Sequence, residues 1–212
     1  MTKTTAHPGL APAASASAAG IEPLFDVAAL RDGVATLGRR LGEELGGEDV
    51  LLVALLDGSL IFLADLVRAI ELPVRFELIH VGYSSGVPAE DPGGTAKDEG
   101  ADETDALLQI HYPLPLEVAG QTVVVVKDVV SSGVTEPYLA QQLRDRGARA
   151  VRFAALIDLP DERKTEFELD YSVFQLRQDR HDRGRGVLVG YGLKHGGRFG
   201  NLPYVGLLPE RG

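Results

Sequence analysis

A run of β-branched apolar residues leads directly into a cluster of small, hydroxyl-bearing residues, and this junction has the residue types that bind phosphate. Residues 123–126 are four valines, which predict a buried strand, and residues 131–135 (Ser-Ser-Gly-Val-Thr) predict a short loop that opens a helix. Such a loop turns several backbone N–H groups toward one point, where the helix dipole adds positive potential. Phosphate is the ligand that this arrangement favours, and the hydroxyls of Ser131, Ser132 and Thr135 would add donors. An ordinary strand-turn-helix with a serine cap has the same local pattern, so these residues alone leave both interpretations open.

The segments around this junction alternate between strand patterns and helix patterns. Apolar residues recur at spacings of three and four between Leu30 and Leu45, which predicts an amphipathic helix with Asp26 as its N-cap. Further strands are predicted at residues 50–56, 74–81, 106–112 and 150–157, and further helices at residues 59–70 and 135–146. Because most of these strands are continuously apolar, the pattern predicts an α/β fold, a parallel twisted sheet with helices on both faces. Ligands of such sheets bind at the carboxyl ends of the strands.

The composition narrows the class of protein. A chain of 212 residues with 44% apolar residues fits one domain with a full core. The formal charge of −10 and the lack of any broad basic run argue against a nucleic-acid surface. No apolar run approaches the roughly 18 residues of a membrane span, so we expect no membrane contact. Without cysteine the chain has no disulfide or thiolate chemistry, which is consistent with the cytoplasmic location that we expect.

Three segments are predicted to lie outside the regular core. Residues 1–22 are rich in Ala, Ser, Thr and Pro, and we expect a disordered tail followed by one domain over residues 23–212. Residues 82–105 are rich in Gly, Pro and acidic side chains and predict a long flexible loop, either a lid or a disordered segment. Residues 177–186 form a short basic insert, which fits a solvated hairpin tip or a contact to a phosphate or a partner.

The phosphate-binding junction resembles the phosphoribosyl-diphosphate signature of the type I phosphoribosyltransferases, and the wider chain resembles their hypoxanthine-guanine branch. The segments that carry the likeness are residues 55–66, 156–164, 189–193 and 201–206, in the order of the family. The resemblance implies the same α/β sheet with a small hood made from N- and C-terminal pieces. It also implies transfer of a purine base to ribose 5-phosphate with release of pyrophosphate. A purine nucleotide or phosphoribosyl diphosphate would be the ligand, and the chain would form a homo-oligomer or a hetero-oligomer with an intact relative.

The resemblance assigns candidate roles to individual positions. The 5′-phosphate-binding loop would consist of Ser131, Ser132, Gly133, Val134 and Thr135. The ribose would contact Lys127 and Asp128, the pyrophosphate loop would contain Asp57 and Gly58, and the purine pocket would contain Leu159, Val187 and Lys194. Tyr83 would lie in the mobile loop, and His195, beside Lys194, is the one histidine in the expected pocket.

Several of these positions differ from the family pattern. Ser131 stands where the family has the aspartate that acts as general base, and a neutral serine has no useful basicity near pH 7. Loss of general-base assistance alone costs about 10²–10⁴-fold in rate. Lys127 replaces the first ribose acid, Leu159 replaces a lysine that contacts the purine's exocyclic oxygen, and Val187 replaces a stacking aromatic ring. We therefore assign a catalytic role to no residue. Ser131 occupies the general-base position, and Tyr83 would lie in the mobile loop.

The charges near the expected metal position are also altered. Lys127 and Lys194 replace acids, whereas Asp57 replaces a lysine, and ammonium groups repel the hard cation Mg²⁺. Two interpretations are open. The lysines could neutralise a bound anion in place of the metal ion, or Asp57 could pair with one of them and close the vacated site. No cofactor is expected on either interpretation, and Mg²⁺ would be required only if the chain were an active transferase.

These departures define the functional hypotheses. The first is a degenerate purine (hypoxanthine or guanine) phosphoribosyltransferase that retains the phosphate loop, has lost most transferase activity, and binds a nucleotide or pairs with an intact relative. The alternative is an active phosphoribosyltransferase of purine salvage with altered base choice. A third is a purely structural partner subunit with a closed pocket.

Overall fold

The computed structural model describes residues 20–56, 58–84, 107–111, 116–177 and 186–209. Within these ranges the strands are β1 (Glu22–Phe25), β2 (Val50–Leu56), β3 (Arg75–Ser84), β4 (Leu107–His111), β5 (Thr122–Val130), β6 (Ala150–Asp158), β7 (Tyr171–Gln175), β8 (Gly186–Val189) and β9 (Val205–Pro209). The α-helices are α1 (Val27–Glu44), α2 (Leu60–Ala69) and α3 (Thr135–Asp145), and a 3₁₀ turn spans Pro160–Glu162. None of the helices described is both long enough and apolar enough to cross a membrane.

Six of the strands form one sheet, in the order β4-β3-β2-β5-β6-β7. The pairs β2–β3, β2–β5, β5–β6 and β6–β7 are parallel, and only β4, which pairs with β3, is antiparallel. The four valines at residues 123–126 in the central strand β5 have no exposed surface. A strand that is buried on both faces has no need of polar alternation, which explains its continuous apolar run. The parallel sheet predicted from the sequence is confirmed.

Helices cover both faces of this sheet. Along β2, Leu52 and Ala54 share a buried cluster with α1 and α2, whereas Leu51 and Val53 share one with α3. This division follows from the alternation of side chains along a strand. Helix α1 begins where it was predicted to begin, because the Asp26 carboxylate accepts a hydrogen bond from the Ala29 N–H at 2.8 Å.

A second, three-stranded antiparallel sheet is built from the two ends of the described chain, in the order β1-β9-β8. Its small apolar cluster contains Ile21, Val189 and Leu202. This sheet is the hood expected from the family resemblance. Because Ile21 is buried and β1 starts at Glu22, the tail boundary at residue 22 was set too far along the chain.

The remaining predicted segments fall partly or wholly outside the described residues. Strand β3 continues to Ser84, so the predicted loop over residues 82–105 starts inside a strand and its remainder lies outside the described ranges. Residues 1–19 of the predicted tail and residues 178–185 of the basic insert also lie outside them. The 3₁₀ turn and strand β7 were not predicted, and the hood was expected without the individual strands β1, β8 and β9.

Candidate functional site

The candidate site starts at the turn between β5 and α3. Strand β5 ends at Val130 and α3 begins at Thr135, so residues 131–134 form the loop. Gly133 has a φ of +72°, in the left-handed region that favours glycine. A Cβ atom at this position would lie 2.8 Å from the Thr165 hydroxyl oxygen. The loop conformation therefore requires glycine at this point for two separate reasons.

The carbonyl groups of this loop are held on one side by the segment that follows the 3₁₀ turn. The Lys164 N–H donates to the Ser132 carbonyl at 2.8 Å, and the Thr165 hydroxyl donates to the Gly133 carbonyl at 2.9 Å. The Arg163 guanidinium donates to the Ser131 carbonyl. Each of these carbonyls shares a planar trans peptide with the N–H of the next residue, which points the opposite way.

The loop N–H groups are consequently turned away from residues 163–165. In the described part of the chain, the backbone N–H groups of Ser132 and Gly133 make no hydrogen bond to protein, and that of Val134 reaches only the Ser132 hydroxyl at 3.5 Å. Convergent backbone donors at the start of a helix form an anion-binding site. This geometry favours the phosphate-binding interpretation over the ordinary capped turn.

A buried ion pair joins the two ends of the loop. The Lys127 ammonium on β5 donates to the carboxylate of Glu136, in the first turn of α3. The two side chains are 14% and 2% exposed. Neither interpretation drawn from the sequence named this partner, because both considered only Asp57 or a bound anion. A carboxylate in the first helical turn is favoured by the helix dipole, which is the signal that could have identified Glu136.

Three of the predicted segments meet at the carboxyl ends of β2 and β5. A Cβ atom on Gly58 would lie 1.8 Å from the Asp128 carboxylate, and a Cβ atom on Gly192 would lie 2.4 Å from the Gly58 carbonyl. The other Asp128 carboxylate oxygen accepts the Val129 N–H at 2.8 Å. The structure therefore brings the ribose and pyrophosphate candidates together, while Asp57 itself lies outside the described residues.

A strained turn places Gly192 against Gly58. Gly190, Tyr191 and Gly192 have φ values of +96°, +51° and +100°. The Tyr191 ring is buried, and its hydroxyl donates to the Asp65 carboxylate on α2. Burial and this hydrogen bond raise the pKa of the Tyr191 hydroxyl. The bond to α2 holds a non-glycine residue in the left-handed conformation, and this role was not predicted.

The purine-pocket candidates are apolar or peripheral. Leu159 is half-buried against the apolar core, and its N–H donates to the Val130 carbonyl at 2.9 Å. Val187 is half-buried in β8, where it pairs with Leu208 of β9. Lys194 is exposed and follows the strained turn, and the backbone of His195 pairs with Arg198 in a tight hairpin. The backbone of Tyr83 lies in β3, and its side chain is outside the described part of the structure.

Among the described side chains at this edge, Asp128 is a carboxylate that could help to hold Mg²⁺, an ion that usually binds through one or two carboxylates together with substrate phosphates. The ion requires oxygen ligands, and Asp128 is accompanied by Lys127, whose ammonium group cannot act as a ligand. The Glu136 carboxylate is committed to Lys127. Within the described ranges, no group of three or more His, Asp or Glu side chains is placed to hold a metal ion.

The fold and the loops at its carboxyl edge define a type I phosphoribosyltransferase architecture, and comparison with known proteins agrees. Residues 21–188 match the phosphoribosyl transferase domain model. The chain is 32% identical to the hypoxanthine-guanine phosphoribosyltransferase of Mycobacterium avium over 185 residues, covering 84% of this chain and 80% of that protein. It is 30% identical to the enzyme of that name from Streptococcus pneumoniae over 174 residues, covering 82% and 85%. The chain belongs to the phosphoribosyltransferase family and is hypoxanthine-guanine phosphoribosyltransferase-like.

Solved structures give the same fold. A hypoxanthine phosphoribosyltransferase from Staphylococcus aureus superimposes with a TM-score of 0.73, covering 88% of this chain and 90% of that one at 23% identity, which supports the fold alone. A hypoxanthine-guanine phosphoribosyltransferase from Bacillus anthracis superimposes with a TM-score of 0.69 at 26% identity, covering 88% and 98%. Together with the sequence comparisons, these matches confirm the resemblance on which the site assignments depend.

Proposed function

We propose that this chain binds a purine nucleotide or phosphoribosyl diphosphate through residues 131–135 and has lost most of its transferase activity. The observation that carries the proposal is the orientation of the loop, whose carbonyls are held by residues 163–165 while its N–H groups point away from those residues. The names of the relatives point to hypoxanthine or guanine as the base. The protein would act in the cytoplasm as a nucleotide-binding protein or as a partner subunit, in a homo-oligomer or with an intact relative.

The loss of activity is inferred from the groups around the loop. Ser131 is not a base, and the nearby Asp158 carboxylate is 5% exposed and already accepts hydrogen bonds from Arg163 and Gln175. The Lys127 ammonium is neutralised by Glu136. Loss of the general base costs about 10²–10⁴-fold in rate.

Two measurements test the proposal. Calorimetric titration with inosine 5′-monophosphate should show binding that changes by less than about twofold when Mg²⁺ is added, because Lys127 stands in place of an acid that would help to hold the ion. In the second, the protein is mixed with phosphoribosyl diphosphate, Mg²⁺ and each of hypoxanthine, guanine, xanthine and adenine. Nucleotide formation at ordinary enzyme rates would contradict the loss of activity, and no binding of any purine nucleotide would contradict the ligand.

Two observations favour the alternative, an active transferase with altered base choice. The identity to enzymes with the hypoxanthine-guanine name extends over more than 80% of this chain, and the loops that would hold ribose and pyrophosphate still converge. On this alternative Mg²⁺ would be needed, and one of the four bases would support turnover in the same assay.

A further inference from the structure

The Arg163 guanidinium lies behind the phosphate-binding loop and contacts both sides of the candidate site. It donates to the carbonyls of Val130 (3.0 Å) and Ser131 at the end of β5, and to the Asp158 carboxylate at the end of β6. A fourth bond, from its Nε to the Phe167 carbonyl, measures 3.3 Å. The side chain is only 12% exposed, so these protein groups occupy its donors.

We infer that Arg163 is a positioning residue that aims the loop donors at the 5′-phosphate without contacting the ligand, an inference that rests on the proposed function. The Ser131 carbonyl and the Ser132 N–H belong to one planar peptide, so a donor that fixes the carbonyl also fixes the direction of the N–H. The same guanidinium holds Asp158, the residue before Leu159 of the purine pocket. One planar side chain therefore sets the phosphate side and the purine side of the site relative to each other.

Lysine cannot replace arginine in this role. The arginine donors form a rigid planar fork, whereas an ammonium group is a point charge on a flexible stem. Arg163→Lys keeps the charge and most of the buried stem but loses the simultaneous contacts to two carbonyls and a carboxylate. Arg163→Lys therefore tests the geometry of the hydrogen bonds while the positive charge is kept. It also provides a second variant in case Arg163→Met does not fold.

The test compares Arg163→Lys and Arg163→Met with Arg149→Met, a matched control at the opposite end of β5, where Arg149 contacts Glu48 (2.7 Å) and Thr122 (3.0 Å). Calorimetric titration uses inosine 5′-monophosphate and inosine. Both Arg163 variants should weaken nucleotide binding by about tenfold or more, the effect of one lost charged hydrogen bond. Inosine binding should weaken less than nucleotide binding, because inosine lacks the phosphate that the loop would hold, and Arg149→Met should leave both affinities within about twofold. General destabilisation would instead weaken both ligands alike.

Hydrogen exchange in the ligand-free proteins gives a readout that does not depend on binding. The amides of Leu159 and Lys164, which donate to the carbonyls of Val130 and Ser132, should exchange faster in both Arg163 variants than in the wild type, and at the wild-type rate in Arg149→Met. Unchanged exchange and unchanged nucleotide affinity in the Arg163 variants would overturn the inference. If the wild type binds no nucleotide while the Arg163 variants still loosen the loop, the proposed function fails and the positioning of the loop by Arg163 stands.

Discussion

At the scale of single residues, the loop depends on one glycine and one ion pair. Gly133 combines a left-handed φ with close neighbours, and the Lys127–Glu136 pair is buried between β5 and α3. Removing one member of a buried pair leaves an uncompensated charge, whereas replacing both members by apolar residues is often neutral. Gly133 and the ion pair both belong to this chain and act without a ligand, so each can be tested by substitution.

Gly133→Ala should abolish nucleotide binding and lower the free energy of unfolding by about 1–3 kcal/mol, the usual cost of a non-glycine residue held in a sparsely populated conformation. Gly120→Ala is a matched control, because Gly120 has a φ of +75° but a Cβ atom there would have no neighbour within 4 Å. The control should lose stability through its backbone alone and keep wild-type binding in a calorimetric titration. Equal binding by Gly133→Ala would show that the loop does not hold the phosphate.

Lys127→Met should destabilise the protein by about 3–5 kcal/mol, because it leaves the Glu136 carboxylate buried without a partner. The double variant Lys127→Met, Glu136→Leu should recover most of that loss. Arg31→Met serves as a surface control, since the Arg31 and Asp32 side chains are 75% and 69% exposed, and it should cost less than about 1 kcal/mol. Urea unfolding measures all three. A single variant no less stable than the double would show that the pair is not buried in solution.

At the scale of elements, two tyrosine hydroxyls join helices to distant segments. The Tyr171 hydroxyl on β7 donates to the Glu44 carboxylate at the end of α1 at 2.8 Å, and Tyr191 joins its strained turn to Asp65 on α2. Burial and the bond to Glu44 raise the pKa of Tyr171 to about 12, and burial with the bond to Asp65 also raises the pKa of Tyr191. These bonds fix where the segments dock on the sheet.

The titration of the Tyr171 and Tyr191 hydroxyls predicts that the protein loses stability in alkaline solution. The folded state keeps both protons at pH values where the unfolded chain, with a phenol pKa of about 10, releases them. Both contributions are therefore complete below about pH 10, and they are lost as the pH rises through the folded-state values. Urea unfolding between about pH 9 and 12 should show a free energy of unfolding that falls above about pH 10, with a shallower slope in the double variant Tyr171→Phe, Tyr191→Phe. Tyr138→Phe, at a side chain that is 44% exposed, should keep the wild-type slope. A wild-type slope in the double variant would refute the prediction.

Sequence patterns predicted the elements well because burial on both faces of a parallel sheet leaves a direct trace in the residue types. The four valines of β5 and the apolar spacing of α1 are examples, and both elements lie where they were predicted. The pairing of Lys127 with Glu136 left no such trace, because it depends on how the chain crosses from β5 to α3. Strand β7 was missed because Tyr171–Gln175 is short and mixes polar with apolar residues. The roles of Arg163 and Tyr191 arise from contacts between distant segments, which periodicity does not encode.

At the scale of the whole molecule, the residues that form the hydrophobic core are largely different from the residues of the candidate site. The buried clusters are formed by side chains of the sheet and helices, whereas the altered family positions lie at strand ends and in loops. Substitutions at most of those positions can therefore change the chemistry while the fold persists, as expected when function resides in sites carried on a common fold. Lys127 is the exception, because its ion pair with Glu136 is buried.

An attempt to restore activity must change residues of the site without destabilising the fold. Ser131→Asp with Lys127→Glu returns two family acids, but the second change would place a new carboxylate against Glu136. We expect that double variant to unfold at lower urea concentration than the wild type and the triple variant with Glu136→Gln to recover stability, because like charges no longer meet. The triple variant should also show more nucleotide formation from phosphoribosyl diphosphate than the wild type. If the double variant is as stable as the wild type, residue 127 does not contact Glu136.

The ion pair across the loop has a kinetic consequence. A binding loop that must first fold around its ligand spends conformational entropy on each encounter and often associates slowly. Here the two ends of the loop are already joined by Lys127 and Glu136. We therefore expect the observed rate constant for nucleotide association in stopped-flow mixing to rise with ligand concentration along a straight line, without the plateau that a preceding rearrangement would impose.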